Sequence, residues 1–300
     1  MKTIAAKLFA SLILGVLALS VMSVAQAQTE YSYLRFDVPN GSQTLARGIN
    51  ARGDIIGSYV DADGVDHDFL LHNRVYTNID YPGGAAANAR AMNAQGDIVG
   101  VLNDADGTHG FLFRDGQLTK IDYPGASSTI AFGINNSGDV TGHYSTPGGT
   151  FGFILSNGVF HNVHIPAEST SGAYGAEDNG LVLVGDVVLK SDSSGHGFVK
   201  RLSEVQLLDP PATVFPCSHA RGINERGEVV GAFSIVNNVD ECNSHPPAHG
   251  FVMHDGSFDT IDPPGSHDTF AFGINDDGVV VGVVTDKQGN THGFKATPKQ

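Results

Sequence analysis

Residues 249–265 read HGFVMHDGSFDTIDPPG, and close copies of this stretch return along the chain at nearly constant intervals. Aligned on the opening tripeptide, the copies begin at His67-Asp68-Phe69, His109-Gly110-Phe111, Phe151-Gly152-Phe153, His196-Gly197-Phe198, His249-Gly250-Phe251 and His292-Gly293-Phe294. Six units result, and the third has lost its histidine. A second signature, Asp-x-Pro, marks Asp37, Asp80, Asp122, Asp209 and Asp262, while His164 with Pro166 holds the sixth place. A third, Ala-x-Gly-Ile-Asn followed by x-x-Gly, covers 46–50, 131–135, 220–224 and 271–275, with looser copies at 89–93 and 173–177. The glycines closing this motif lie 43, 42, 42, 47 and 51 residues apart, which is the length of a propeller blade.

Each unit reads as four short strands. In the second, the expected strands are 87–93, 97–103, 109–113 and 117–122, separated by turn residues. The Asn-x-x-Gly links are hairpin loops in which glycine supplies positive φ and the asparagine caps its own turn. From the first residue of the tripeptide to the Asp-x-Pro aspartate the spacing is 13 in five units. Its midpoint falls on Asp115-Gly116, Asn157-Gly158 or Asp255-Gly256, pairs favoured in two-residue type I′ turns.

A hairpin closed at such a turn sets His67 opposite Asp80, His109 opposite Asp122, His196 opposite Asp209 and His249 opposite Asp262. The third unit replaces both members together, with Phe151 for the histidine and His164 for the aspartate. Carried one per blade around a ring, these histidines stand too far apart to share a metal at bond lengths of about 2 Å. They read as structural pairs that pin the hairpin register, each worth about 0.2–1 kcal/mol. The chain opens with a lone fourth strand at 32–37 and closes with a third strand at 292–296 that lacks its fourth. Pairing the two sets Asp37 beside His292 and removes the open edge. The fold expected is all-β, a six-bladed propeller of four-stranded blades, with the Ala-x-Gly-Ile-Asn strand innermost.

The repeat GIN-x-x-G-x-VVG followed by HGF and a turn resembles the HAF-type extracellular repeat of bacteria, over nearly all of residues 32–300. That family carries His-Ala-Phe where this chain has glycine in the middle, and often a following tryptophan, which this chain lacks. The resemblance implies an exported propeller and little about chemistry.

Export is also read from the N-terminus itself. Lys2 and Lys7 precede an apolar run at 8–24 and a small-x-small site at Ala25-Gln26-Ala27, the pattern of a secretory signal peptide over 1–27; a membrane anchor is the other reading of such a run. The remaining 28–300 form one domain, expected to be a monomer in the periplasm or medium with no membrane attachment. Losing two lysines takes the formal charge from −15 to −17, which excludes nucleic acid and anionic membranes as expected partners. With export, Cys217 and Cys242 read as a disulfide.

Function has three places to sit. The variable residue of the innermost motif is Arg47, Arg90, Phe132, Tyr174, Arg221 and Phe272 in turn, a set that would suit a carboxylate-bearing or sugar ligand at the channel mouth. The alternative is that these side chains pack between blades, with the arginines paired to rim carboxylates. The fifth unit has an extended loop at 234–248, and it gathers His219, His245 and His267 as proton-transfer candidates with Arg221 to hold an anion. Asp61-Ala62-Asp63-Gly64 and Asp104-Ala105-Asp106-Gly107 resemble fragments of calcium loops but lack the ligand count, and ordinary turns explain them. No nucleophile elbow, phosphate loop or His-Glu-x-x-His pattern occurs, and neither cofactor nor metal is expected. Two functions follow: a binding or scaffolding module for an extracellular polysaccharide or protein, or a glycan lyase or hydrolase built on the fifth unit.

Overall fold

The computed structural model describes residues 29–299 except 80, 83–85, 167, 211–214, 216 and 245. The expected leader at 1–27, Asp80 and His245 therefore lie outside the described residues. No helix among the described residues is long and apolar enough to cross a membrane.

Six four-stranded antiparallel sheets form a ring, each a blade of a six-bladed β-propeller. The second blade runs Ala87–Met92, Ile98–Asp104, Gly107–Arg114 and Gln117–Ile121, each strand paired with the one before it. Its ends lie within two residues of those read from the sequence. The strand expected at 32–37 runs Tyr31–Phe36 and pairs with Thr291–Pro298, from Tyr31 opposite Pro298 to Phe36 opposite Gly293. The ring is thus closed by the first strand of the chain completing the last blade, which covers the edge that Thr291–Pro298 would otherwise expose.

Between the blades lies the core. Each tripeptide contributes one wholly buried ring, Phe69, Phe111, Phe153, Phe198, Phe251 or Phe294. These rings lie against the glycine of the second strand, where a side chain has no room. A Cβ on Gly142 would come within 2.1 Å of the Ile130 carbonyl oxygen and 2.7 Å of Phe153. Valine and isoleucine of the preceding blade complete such a cluster, as Val99 and Ile121 of the second blade do with Ala131, Val140 and Phe153 of the third.

The type I′ turns form where expected. Asp115 and Gly116 have φ of 50° and 75°, Asn157 and Gly158 49° and 78°, and Asp255 and Gly256 46° and 81°. The turn between Asp66–His72 and Val75–Asn78 is less suited, because Asn73 is followed by Arg74 at φ 66°. With register set this way, His109 Nδ1 reaches Asp122 at 2.6 Å, His249 Nδ1 reaches Asp262 at 2.7 Å, and His196 Nδ1 lies 3.1 Å from both oxygens of Asp209. His67 differs: its Nε2 bonds Asp61 at 2.8 Å, across the neighbouring loop, and its expected partner Asp80 is outside the described residues. His164, in the unit without a pair, lies 3.2 Å from Glu168 instead.

The asparagines of the innermost motif do more than cap. Asn135 Oδ1 accepts from the Asp139 amide at 2.8 Å, as a turn cap should, while its Nδ2 donates to the Glu177 carbonyl of the next blade at 2.9 Å. Asn93, Asn224 and Asn275 repeat this bridge, the last to the Asn50 carbonyl at 3.2 Å across the closure. A belt of side-chain to backbone bonds therefore ties blade to blade at one end of the channel. Because each asparagine's own turn needs the residue, the belt is not visible from one repeat taken alone.

Candidate ligand-binding site

The innermost strands are Ser42–Ile49, Ala87–Met92, Ser128–Ile134, Glu168–Ala176, Ser218–Ile223 and Ser266–Ile274. All six carry a register shift at the same place, between Ala46 and Gly48, Ala89 and Ala91, Ala131 and Gly133, Ala173 and Gly175, Ala220 and Gly222, and Ala271 and Gly273. The residue skipped by the pairing is in each case the variable one. A β-bulge leaves its extra residue unpaired and turns its side chain away from the regular alternation. Ala46 and Ile49 then both face the same core cluster although they stand three positions apart, and Arg47 is released toward the axis.

The six bulged residues, Arg47, Arg90, Phe132, Tyr174, Arg221 and Phe272, meet with Phe270 around one axial cavity of about 430 Å³. They form three cation–π pairs between adjacent blades. The Arg47 guanidinium lies 5.3 Å from the Phe272 ring centre, that of Arg90 5.7 Å from Phe132, and that of Arg221 4.2 Å from Tyr174. Among the described residues a carboxylate comes within ion-pair distance of Arg221 alone of the three arginines, with Nη2 3.6 Å from Asp186, while Asp68 acts on Arg47 and Arg90 from farther off. The Nε atoms of all three are buried without a hydrogen-bond partner.

Crowding of like charge in a dry place shows in the titration of the site. Burial first, and then neighbouring Arg90, pull the Arg47 guanidinium down to about 9, against the pull of Asp68; it is still cationic at neutral pH. Burial lowers Arg90 as well, with Asp68 opposing and Arg221 adding to the effect. Asp68 occupies the place of glycine in the first tripeptide. Burial raises its carboxyl to about 6, although Tyr81 and the Ala89 amide donate to it at 2.8 and 2.6 Å.

Two further cavities lie beside the axial one. The first, about 290 Å³, shares Tyr174 and is walled by His143, Thr150, Thr170, Ser171, Asp186 and His219 among others. The second, about 240 Å³, shares Phe270 with the axial cavity and His219 with the first, and includes Cys217 and Cys242 in its wall. These cysteines form the expected disulfide, with Cα atoms 5.8 Å apart. It ties the extended loop, which contains the short helix Val239–Asn243, to the start of the innermost strand of the fifth blade.

The proton-transfer candidates are divided by the fold. His219 Nδ1 bonds Asp186 at 2.7 Å and the residue lines both side cavities. His267 pairs with its neighbour Asp268 at 2.9 Å and is absent from the walls of all three cavities. His245 is outside the described residues. His143 is a site residue the sequence reading missed: it stacks edge-on to Phe132 with ring centres 5.1 Å apart, and burial lowers its pKa. Its signal was its position directly after the second-strand glycine, the place that Asp186 fills in the next unit. Asp61, in the first calcium-like fragment, spends Oδ1 on the amides of Asp63 and Val65 at 2.9 Å each, an ordinary turn. Among the described residues no group of three or more His, Cys, Asp and Glu side chains is arranged to hold a metal ion.

No protein-family model matches this sequence, and no curated protein does. In three dimensions the chain is similar to a putative TolB from Agrobacterium tumefaciens, 12% identical with a TM-score of 0.57, covering 91% of this chain and 99% of that one. It is also similar to a gluconolactonase from Xanthomonas campestris, 11% identical with a TM-score of 0.55 and 91% of each chain covered. A fucose-recognising Aleuria aurantia lectin described as a six-bladed β-propeller is 11% identical with a TM-score of 0.50, covering 89% of this chain and 93% of that one. At such identities the likeness establishes the fold: the chain is a six-bladed β-propeller.

Proposed function

We propose that this protein is an exported binding module that seats an extracellular polysaccharide in its axial cavity and the two cavities beside it. The observation that carries the reading is the convergence of six bulged residues, one per blade, on a single cavity lined by cations and aromatic rings. A bulge repeated at one position in every blade re-aims a side chain each time, and bulges of this kind are kept where a side chain has work to do. The aromatic faces suit the C–H faces of a sugar ring, and the hydroxyls of Thr150, Thr170 and Ser171 suit its hydroxyls. The resemblance to an extracellular repeat and the disulfide support the exported location. The test is retention on a panel of immobilised polysaccharides. The reading requires retention on at least one, abolished by filling the axial cavity through Phe132→Arg; a panel with no retention contradicts it.

A second reading, a glycan lyase, is favoured by the Asp186–His219 pair. Asp186 accepts from Nδ1 of His219, while Nε2 has no hydrogen-bond partner among the described residues, so the ring is oriented as a base beside Arg221. It requires unsaturated sugar ends to appear, measured by ultraviolet absorbance, and their loss in His219→Ala.

A further inference from the structure

The axial cavity carries an imbalance that its fold does not resolve. Three guanidiniums face it, and the Nε–H of each is buried without a hydrogen-bond partner. A single carboxylate, Asp186, forms an ion pair with one of them. Arg47 and Arg90 stand on adjacent blades against the ring faces of Phe272 and Phe132, and the one carboxylate that pulls on both, Asp68, is already engaged by Tyr81 and the Ala89 amide. A guanidinium held in a dry pocket with its Nε–H unpaired is costly, since a buried donor without an acceptor forfeits the hydration it gave up. The chain as a whole is acidic, with a formal charge of −15, so the cationic cluster at its axis is not a consequence of composition.

We infer that Arg47 and Arg90 form a receptor for the carboxylate of an acidic sugar unit, a uronate, within the polysaccharide proposed above. This deepens that reading and rests on it. The planar fork of each guanidinium matches a carboxylate, and two forks from neighbouring blades present more donors than one carboxylate needs. Arg221, already balanced by Asp186, serves the adjoining part of the ligand, and the stacked aromatics hold the guanidinium planes while accepting the apolar face of a sugar ring. The hydroxyl and imidazole groups of the first side cavity suit neighbouring sugar units better than an acidic peptide side chain, which offers no row of hydroxyls to pair with.

The experiment is calorimetric titration of the purified protein with an oligogalacturonate, its methyl ester, a neutral glucose oligomer and inorganic sulfate. Binding of the oligogalacturonate, weakened at least tenfold by methyl esterification and by Arg90→Gln, is the expected result. Arg90→Lys keeps the charge without the fork and should fall between the two, and thermal melts of both variants exclude loss of the fold as the cause. Equal binding of the ester and the neutral oligomer overturns the carboxylate receptor while leaving the polysaccharide module standing. Binding of sulfate with no binding of oligogalacturonate overturns the uronate assignment. Failure of every probe here, joined to failure of retention on the polysaccharide panel, overturns both readings.

Discussion

Asp37 and His292 are 255 residues apart in the chain and in contact in the fold, with His292 Nδ1 lying 2.9 Å from each oxygen of the Asp37 carboxylate. The same pair that fixes register inside the second, fourth and fifth blades here joins the first strand to the last blade. It is partly exposed, so removing the contact alone costs little, about 0.5 kcal/mol for His292→Ala. Removing the strand is another matter. Deleting residues 29–37 takes away Tyr31, which is buried in the closing core cluster, and leaves Thr291–Pro298 as an unpaired edge. The deletion is expected to aggregate in size-exclusion chromatography while His292→Ala remains monodisperse with nearly unchanged unfolding in urea.

The bulges depend on the glycine opposite them. A Cβ on Gly231 would come within 1.9 Å of the His219 carbonyl oxygen, so the innermost strand cannot keep its bulge with alanine there. Gly231→Ala is expected to cost about 3 kcal/mol, the upper range for overpacking a core, and to displace Arg221 and His219 together. Urea unfolding reads the first effect and ligand titration the second. A variant with near-native stability and binding would show that the bulge is not held by this contact.

Two turns carry residues poorly suited to them. Arg74 sits at φ 66° after Asn73, and Leu202 at φ 52°, where a side chain on a left-handed backbone is strained. Leu202 is also 70% exposed, so its apolar surface contributes no packing. Arg74→Gly and Leu202→Gly should each stabilise the protein by about 0.5–1 kcal/mol, the relief of strain exceeding the added freedom of the unfolded chain. Thermal melts of the single and double variants check this, and distant sites of this kind should add.

Stability should be greatest between the two titration ranges set by the pair Glu228 and His254. Burial alone would raise Glu228, but hydrogen bonds from His254, Arg226 and Asn224 outweigh it and hold the carboxyl at about 2 rather than 4.5. A carboxyl depressed in this way stabilises the fold above its unfolded value and ceases to do so as pH falls toward 2. The hydrogen bond that His254 donates to Glu228 raises His254 above 6.5, and the one that His196 donates to Asp209 raises His196 likewise. Their contributions are complete below 6.5 and fade as pH climbs through the raised values. Melting temperature should therefore peak between about pH 4.5 and 6.5 and fall on both sides. Glu228→Gln removes the charge that serves both limbs and should flatten both; a profile superimposable on that of the unchanged protein would contradict the assignment.

The architecture was legible because it is written six times. Spacing of 13 from His109 to Asp122 and from His249 to Asp262, with Asp-Gly or Asn-Gly midway, allows one register, and the leftover strands at the two ends allow one closure. The ring of Arg47, Arg90, Phe132, Tyr174, Arg221 and Phe272 was legible as a set, yet its direction was not, because strict alternation leaves open whether such residues face the axis or the neighbouring blade. The deciding signal was present and unused: Ala46 and Ile49 are both of core type at an odd separation, which a regular strand cannot bury on one face and a bulge can. His143 is not legible because nothing in a single unit marks the residue after the second-strand glycine as lining a cavity. The pairing of Arg47 with Phe272 joins the first and sixth units, a contact that exists only once the ring has closed.

The central claim is that the axial cavity is the ligand seat, and a crystal structure of the protein with a fragment of the polysaccharide it retains tests this most directly. The account predicts ligand density bounded by Arg47, Arg90 and Phe272, with the two guanidiniums bonded to it. Density confined to the outer blade edges, or to the asparagine belt at the other end of the channel, with the guanidiniums unchanged, would contradict it.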